Sequence, residues 1–428
     1  MYDTDMGDTP AARATSPMVG RRLELPESRA MPHTLLVYRY TGFVRDTPTV
    51  LSYAVLGSFT FWLYAFGPAV TLLRDELGFS YTLLGLYSVL WSLGSAAAGA
   101  GFALAARHLS RAALLWGSAA INTVAAAMFT LGRGVPVTLA AAVLFGVGGA
   151  ALVAVVQAIL SDRHGSRRDQ ALTEANIGAG ASAVFAPLIL GALAAGALGW
   201  RVAFALPAAC LLALYLRYRG AALPTASRHR SGAEPGRLPP AAWLFAMLTA
   251  MSAAIEFCLV YFGPQMLLTT GLSAAAASTA LSANYLGILI GRTLGAAVTR
   301  RPGRSIPLLY ASLALTGGAF LMFWLADHPV PAIVGLFLCG AGVANLYPLA
   351  VGLTLDAAPG QGDTANARSQ VALGLVTAVS PYLLGTLADR YGLSAAFVLE
   401  PVLIVLSAAL LWTGLRAHHR VVPAEPGR

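Results

Sequence analysis

The chain contains no lysine and little charge of either sign. Charged residues make up 11% of 428 positions, and all 28 basic residues are arginine. Because there is no lysine, there is no Walker A lysine, which excludes an ATP-driven pump within this chain. No HExxH or G-x-S-x-G motif occurs, and all seven histidines lie in the tails or in predicted loops. These absences argue against an intramembrane hydrolase and against haem ligation, so we expect no enzymatic activity and no cofactor.

Cysteine is equally scarce. Cys210, Cys258 and Cys339 all lie inside apolar runs, and their spacing fits neither a metal site nor a disulfide framework. They are expected to act as small hydrophobic residues, so we predict no bound metal. Residues 1–47 are polar and have no apolar core of the kind that a cleaved secretory signal needs, so we expect a disordered cytoplasmic tail whose true start could be Met31.

Apolar residues are abundant, at 57% of the chain. Continuous apolar runs of about 20 residues or more recur between Leu51 and Leu415, and each is long enough to cross a hydrocarbon core about 30 Å thick. Continuous runs predict helices, because the strands of a membrane β-barrel alternate apolar and polar residues. We predict an all-α membrane protein with twelve transmembrane helices, near 49–73, 81–106, 112–132, 136–160, 172–196, 200–217, 241–268, 273–298, 305–326, 330–355, 369–388 and 394–416.

The arginines indicate the orientation of these helices. With the N-terminus inside, 23 arginines fall in cytoplasmic segments and four in periplasmic turns, and Arg292 lies within a helix. This bias follows the positive-inside rule and predicts a multi-pass protein of the inner (cytoplasmic) membrane with both termini in the cytoplasm. Short arginine-bearing loops are unlike a basic nucleic-acid-binding stripe, so we expect the lipid bilayer, and no nucleic acid, as a partner. The four periplasmic arginines are Arg74, Arg133, Arg201 and Arg390.

The helices divide into two similar halves. A Pro-, Gly-, Ser- and Arg-rich stretch at 218–240 predicts a cytoplasmic linker between a half at 48–217 and a half at 241–416, which is followed by a cytoplasmic tail at 417–428. Phe66-Gly67-Pro68, followed by Gly78-Phe79-Ser80, recurs as Phe262-Gly263-Pro264, followed by Gly271-Leu272-Ser273. Pro187 and Gly199 recur as Pro381 and Gly392, and all offsets lie between 193 and 196 residues. Parallel repeats of this kind place a solute site near the bilayer midplane between the halves.

Over residues 48–416 the chain resembles the major facilitator superfamily. The resemblance is carried by Gly199-Trp200-Arg201, by the Pro187 to Gly191 segment, by Gly291-Arg292 with Gly295, and by the run from Gly385 to Gly392, which reads Gly-Thr-Leu-Ala-Asp-Arg-Tyr-Gly. It implies a fold of two pseudo-symmetric six-helix halves in which helices 1, 4, 7 and 10 line the cavity. Helices 2, 5, 8 and 11 would form the gates, and helices 3, 6, 9 and 12 would face lipid.

The resemblance also implies a function. It predicts a secondary active transporter that moves a small organic solute by alternating access, is coupled to protons and acts as a monomer. Pro187 and Gly191 keep part of an antiporter-associated pattern and favour export of an amphiphilic or drug-like compound. Two departures oppose simple proton antiport: the loop acids of the family are missing near Arg107, and helix 4 has Ala142 to Gly146 where exporters often carry arginine. A nutrient or metabolite importer or uniporter, and a transport-inactive membrane receptor with the same fold, remain alternatives.

Charged residues within the predicted helices are candidates for coupling and gating, because such residues are unfavourable in lipid and usually functional. Glu256 lies roughly 22 Å from the cytoplasmic end of helix 7 and is predicted to bind protons or substrate; the alternative is a protonated acid buried between packed helices. Glu174 and Arg292 are predicted to pair as a cytoplasmic gate in the outward-open state, although Arg292 could instead extend to the headgroups. Their difference in depth disfavours a pair between Arg292 and Glu256. Glu400 is expected to have a local structural role.

Uncharged polar and aromatic residues on the cavity-associated helices are candidates for the solute site, since such a site suits an amphiphilic or aromatic solute. Glycine–proline and tyrosine–proline steps in the same helices are candidate bends, and packing kinks are the alternative. The candidate cavity residues are Tyr53, Trp62, Tyr64, Gln157, Tyr261, Gln265, Asn345 and Tyr347, and the candidate bends are Gly67, Pro68, Gly263, Pro264 and Pro348.

Overall fold

A computed structural model describes residues 43–224, 237–301 and 303–421. Within these ranges the chain is helical and has no β-strand, and twelve helical segments are long and apolar enough to cross a membrane. The predicted all-α fold with twelve spans is therefore confirmed. The helices are α1 Thr47–Leu77, α2 Tyr81–His108, α3 Arg111–Leu131, α4 Val135–His164, α5 Arg168–Ala195, α6 Arg201–Tyr218, α7 Pro240–Leu268, α8 Ala274–Thr299, α9 Ser305–Trp324, α10 Pro329–Val343, α11 Leu346–Asp356, α12 Gly362–Tyr391, α13 Leu393–Ala396 and α14 Leu399–Val421.

The repeated sequence motifs correspond to equivalent tight turns. Gly78, with φ of 64°, ends α1, and two residues later the Ser80 side chain accepts a hydrogen bond from Leu83 N in α2. In the second half Gly271 has φ of 92°, and Ser273 caps α8 in the same way. Glycine tolerates the left-handed backbone and serine is a favoured N-cap, so each motif ends one helix and starts the next within three residues.

Two faces of the molecule are distinguished by the chain direction. We call the face where α1 begins and α14 ends the termini face, and the face that carries the α1–α2 and α7–α8 turns the distal face. Within the first half, α4 is packed against both α2 and α3, and α1 is packed against α5. Within the second half, α7 is packed against both α12 and α14, and α10 is packed against both α8 and α9. Between the halves α2 packs on α12 and α5 on α8, and we call this boundary the seam.

The seam is tight at its distal end. A Cβ on Gly85 of α2 would lie 2.6 Å from Pro381 O, and a Cβ on Gly385 of α12 would lie 2.3 Å from Tyr81 O. Only glycine permits backbones to approach this closely. Between α5 and α8 the approach is equally close, since a Cβ on Gly191 of α5 would lie 2.7 Å from Ala275 O of α8.

Several helix bounds differ by a few residues from the sequence prediction, and the largest differences are at the tenth span, at the start of α12, which begins at Gly362 rather than 369, and at the last helix. The tenth span divides at Ala344 and Asn345 into α10 and α11. Pro348 explains the break, because it has no N–H to donate to Ala344 O four residues earlier. The last helix continues to Val421, five residues past the predicted end at 416.

Candidate functional site

A cavity of about 140 Å³ lies at the seam between the two halves. Helices α1, α2, α7 and α8 contribute its walls, and aromatic rings make up much of them. Glu256 of α7 is the carboxylate in this lining. The lining residues are Leu63, Tyr64, Phe66, Gly67, Trp91, Glu256, Phe257, Val260, Tyr261 and Tyr285.

Glu256 is half-buried in this cavity. Arg292 of α8 is exposed and does not line the cavity, and no ion pair joins it to Glu256 among the described residues. Tyr64 of α1 and Tyr285 of α8 pack edge to face in the cavity wall, with centroids 5.0 Å apart. The arrangement combines a carboxylate and rings from both halves in one small space.

Tyr64 and Tyr261, two of the candidate cavity residues, line this cavity. Trp62 does not: it is 0% exposed, and its Nε1 donates a 3.0 Å hydrogen bond to Phe204 O of α6. Its ring packs against Phe145 of α4. Trp62 therefore belongs to the core of the first half, and its assignment to the cavity is corrected, because its indole points away from the seam. Gln157 is exposed on α4.

Glu174 binds Arg45, a residue that precedes α1. Its two carboxylate oxygens accept hydrogen bonds from Arg45 Nε and Nη2, each 2.8 Å long, and a third from Tyr53 Oη at 3.3 Å. Tyr53 thus lies at the termini face beside Glu174. The predicted Glu174–Arg292 pair was assigned to an outward-open state, and this structure, with its seam closed at the distal end, does not test it.

Asp46 completes the attachment of α1 at this face. Its side chain caps α1 by accepting from Thr49 N and also forms an ion pair with Arg163 of α4. Burial raises the pKa of the Asp46 carboxyl, but the hydrogen bonds from Thr49 and Arg163 outweigh burial and hold its pKa below the usual value. The start of α1 is therefore bound to both α4 and α5.

The candidates on the tenth span lie beside the helix break. Asn345 Nδ2 donates to Gly291 O of α8 at 3.0 Å, and Tyr347 Oη accepts from Gln370 Nε2 of α12 at 3.2 Å. Asn345 occupies the space that a Cβ on Gly295 would need. These two side chains therefore connect the broken span to its neighbours, and neither lines the cavity that contains Glu256.

The proposed bends fall into two groups. Helices α1 and α7 continue through Pro68 and Pro264. Of the glycines that precede these prolines, Gly67 lies at the seam and Gly263 lies within the second half. Gly67 is in close contact with α7, since its Cβ would lie 2.9 Å from Val260 O. Pro348 follows the observed break.

The distal end of the seam contains residues that the sequence interpretation missed. Asp389 of α12 accepts hydrogen bonds from the backbone N–H groups of Tyr81, at 2.9 Å, and Thr82, at 2.7 Å, so it caps α2 from the other half. Arg74 Nη1 donates to Gln265 Oε1 at 3.1 Å, which joins α1 to α7. Arg74 could have been found as one of the four arginines that oppose the positive-inside bias.

Glu400 lies apart from the cavity, in the second half. It is 0% exposed, and neither carboxylate oxygen has a hydrogen-bond partner among the described residues. Its neighbours include the buried thiols of Cys258 and Cys339. A second, larger groove of about 600 Å³ lies between α3 and α6, lined by apolar residues, threonine and two aromatic rings, and no charged residue contributes to it.

Comparisons with solved structures show the same fold. A bacterial homologue of the human lysosomal transporter Spinster, in an inward-facing and occupied conformation, matches with a TM-score of 0.74 at 17% identity, over 90% of this chain and 100% of that chain. A point mutant of the peptide transporter POT matches with a TM-score of 0.70 at 16% identity, over 87% and 95%. A point mutant of the nucleoside transporter NupG matches with a TM-score of 0.68 at 13% identity, over 86% and 98%.

No curated protein sequence matches this chain. The family model of the Major Facilitator Superfamily matches residues 50–250 and 245–428, which together span nearly all of the helical region. Twelve spans, two six-helix halves and a cavity on the boundary between them agree with this match. The chain is a transporter of the major facilitator superfamily.

Proposed function

We propose that the protein is a proton-coupled secondary transporter that exports a small amphiphilic organic solute by alternating access. The observation that carries the proposal is the position of Glu256, a carboxylate in an aromatic cavity on the seam between the halves. Aromatic rings can pack against the apolar part of a solute. A carboxylate inside the membrane can bind and release the proton to which transport of that solute is coupled.

Glu174 and Arg292 supply the gate of this proposal. In a distal-open state we expect the termini ends of α5 and α8 to meet, so that Arg292 pairs with Glu174 and displaces Arg45 from it. Glu256 would then be open to the distal side and take up a proton there.

The orientation follows from the arginine distribution, which favours the termini face as the cytoplasmic one. The distal-closed structure is then an inward-facing state, and the protein is expected to act as a monomer in the cytoplasmic membrane. An importer of a nutrient or metabolite would use the same cavity to move its solute in the opposite direction, into the cytoplasm. A receptor with this fold would bind a solute in the cavity without transporting it.

The test is Glu256→Gln in proteoliposomes with an imposed pH gradient. The solute is chosen first from a thermal-shift screen of aromatic acids, amines and neutral amphiphiles. We expect the variant to lose pH-driven accumulation and to keep solute exchange at equal pH, because Gln fills the same volume without binding a proton.

Glu400→Gln is the matched control, since Glu400 is also a membrane-embedded carboxyl but lies outside the cavity. It should keep pH-driven accumulation. Unaltered pH dependence in Glu256→Gln would reject the coupling role, and solute binding without flux in the wild-type protein would favour the receptor.

A further inference from the structure

The Arg74 guanidinium at the distal end of the seam is held in place from two sides. One nitrogen, Nη1, donates to Gln265 Oε1 of α7 at 3.1 Å, and the guanidinium carbon lies 3.8 Å from the centre of the Tyr81 ring on α2. Tyr81 in turn packs against Phe262 of α7. Helices from both halves therefore fix the position of one half-buried cation.

Donor groups beside this contact are left without partners. Arg74 Nε and Gln265 Nε2 are buried and have no hydrogen-bond partner among the residues that the structure describes. Gln265 is only 2% exposed, and its amide orientation is fixed because its oxygen accepts from Arg74. Thr71 Oγ1, one turn earlier on α1, is buried and unpartnered as well. Burying such groups unpaired is unfavourable, so acceptor atoms supplied by a ligand here would be bound favourably.

Two carboxylates at the distal end of the structure are bound elsewhere, and that of Asp75, the residue next to Arg74, is exposed. Asp389 accepts from the first N–H groups of α2, and Glu76 forms an ion pair with Arg201. Within the described ranges Arg74 has no ion pair, so its charge is available to an anion. Two fixed N–H donors and a hydroxyl match the acceptor atoms of a carboxylate.

We infer that Arg74, Gln265 and Thr71 form an anion-binding subsite that takes the carboxylate of the transported solute at the distal end of its path. This inference rests on the proposed transport function and deepens it, because it assigns the solute to the organic acids. The subsite is separate from the Glu256 cavity.

The close contact of Gly67 with Val260 divides the two. Seven residues of helix separate Gly67 from Arg74, which places the subsite about 10 Å further toward the distal face. Opening the distal end of the seam would remove the constriction, and an acid could then pass between the subsite and the cavity without leaving the seam.

The test is equilibrium binding of benzoate to the purified full-length protein by calorimetry, with benzamide as the neutral analogue and chloride as an inorganic anion. Benzoate should bind, and benzamide should bind at least about tenfold more weakly. Arg74→Gln should weaken benzoate binding by about tenfold to a hundredfold, the range for a charged hydrogen-bonding partner. Arg133→Gln is the matched control, because Arg133 is an exposed arginine of the same face outside the seam, and it should bind benzoate as the wild type does.

Unchanged benzoate affinity in Arg74→Gln, or a loss in Arg292→Gln alone, would overturn the inference. Binding of chloride without benzoate would reject the organic acid. If Arg74→Gln does not fold, Arg74→Lys keeps the charge but lacks the planar donors, and it should still prefer benzoate to benzamide with reduced affinity.

Binding at equilibrium needs no gradient, so the two proposals fail separately. Arg74-dependent benzoate binding without any flux would reject transport alone. Flux of a solute without Arg74-dependent binding of an acid would reject this subsite alone.

Discussion

Replacing Gly385 by alanine should open the distal end of the seam. The new Cβ would lie 2.3 Å from Tyr81 O, which is 1.1 Å inside the 3.4 Å at which ordinary contact begins. The obstructing atom is backbone in the first turn of α2, so it cannot rotate away. Overpacking of this size costs about 1–3 kcal/mol, and the cost falls only on the distal-closed state. The distal-open population should therefore rise about 5-fold to 150-fold.

The population can be measured by cysteine labelling. Ser278 of α8 is fully buried, and its hydroxyl donates to Pro68 O across the seam at 3.4 Å. In a background without the three native cysteines, Ser278→Cys should react with a maleimide in proportion to the distal-open fraction. The labelling rate of the purified protein should increase by the same factor as that fraction.

Gly374→Ala is the matched control in the same helix, because no described atom lies within 4 Å of its Cβ position. Gly85→Ala repeats the test from α2, where Gly99→Ala is the corresponding control. Equal labelling rates in Gly385→Ala and Gly374→Ala would refute the reasoning, because the contact would then have no influence on the balance of states.

Three further perturbations address single side chains. Asp389→Ala removes the cap that α2 receives from the other half, and a loss of roughly 0.5–2 kcal/mol should speed Ser278→Cys labelling by about 2-fold to 30-fold; no change would mean that the cap is unimportant for closure. Reversing the charge of Glu174 or of Arg292 should slow solute flux and reversing both should restore it, and a double variant as slow as the singles would contradict the gate. Glu400→Gln should leave the melting temperature equal or higher, since the buried carboxyl has no hydrogen-bond partner among the described residues; a clear decrease would show that its charge is needed.

The fold could be predicted because lipid imposes simple rules on sequence. Long apolar runs gave the twelve spans, and the repeated Gly-x-Ser turns at Gly78 and Gly271 gave the two halves. The break at Asn345 was only half predicted: Pro348 marked a bend, but the missing hydrogen bond lies four residues earlier. The sequence therefore predicts which segments form helices better than it predicts where a helix is interrupted.

The site could be predicted only in part, because the sequence gives the residues of each helix but not the direction in which each face of the helix is turned. Glu256 was found from its charge and its depth, and Tyr64 from its residue type on a cavity-associated helix, and both line the cavity. Trp62 was misplaced because an aromatic residue on a cavity helix can equally face its own half. Asp389 and Arg74 were missed because their roles depend on which turns meet across the seam, and such long-range pairings leave no local pattern in the chain.

One ring in the cavity wall has a practical consequence. Trp91 lines the cavity and stacks on Phe145 with an interplanar angle of 15°, so it faces a bound solute on one side and the immobile core on the other. The other three tryptophans of this half, Trp62, Trp116 and Trp200, do not belong to that wall. The emission of Trp91 should therefore act as a label-free optical reporter of occupancy, which can be read in titrations before the solute itself is known.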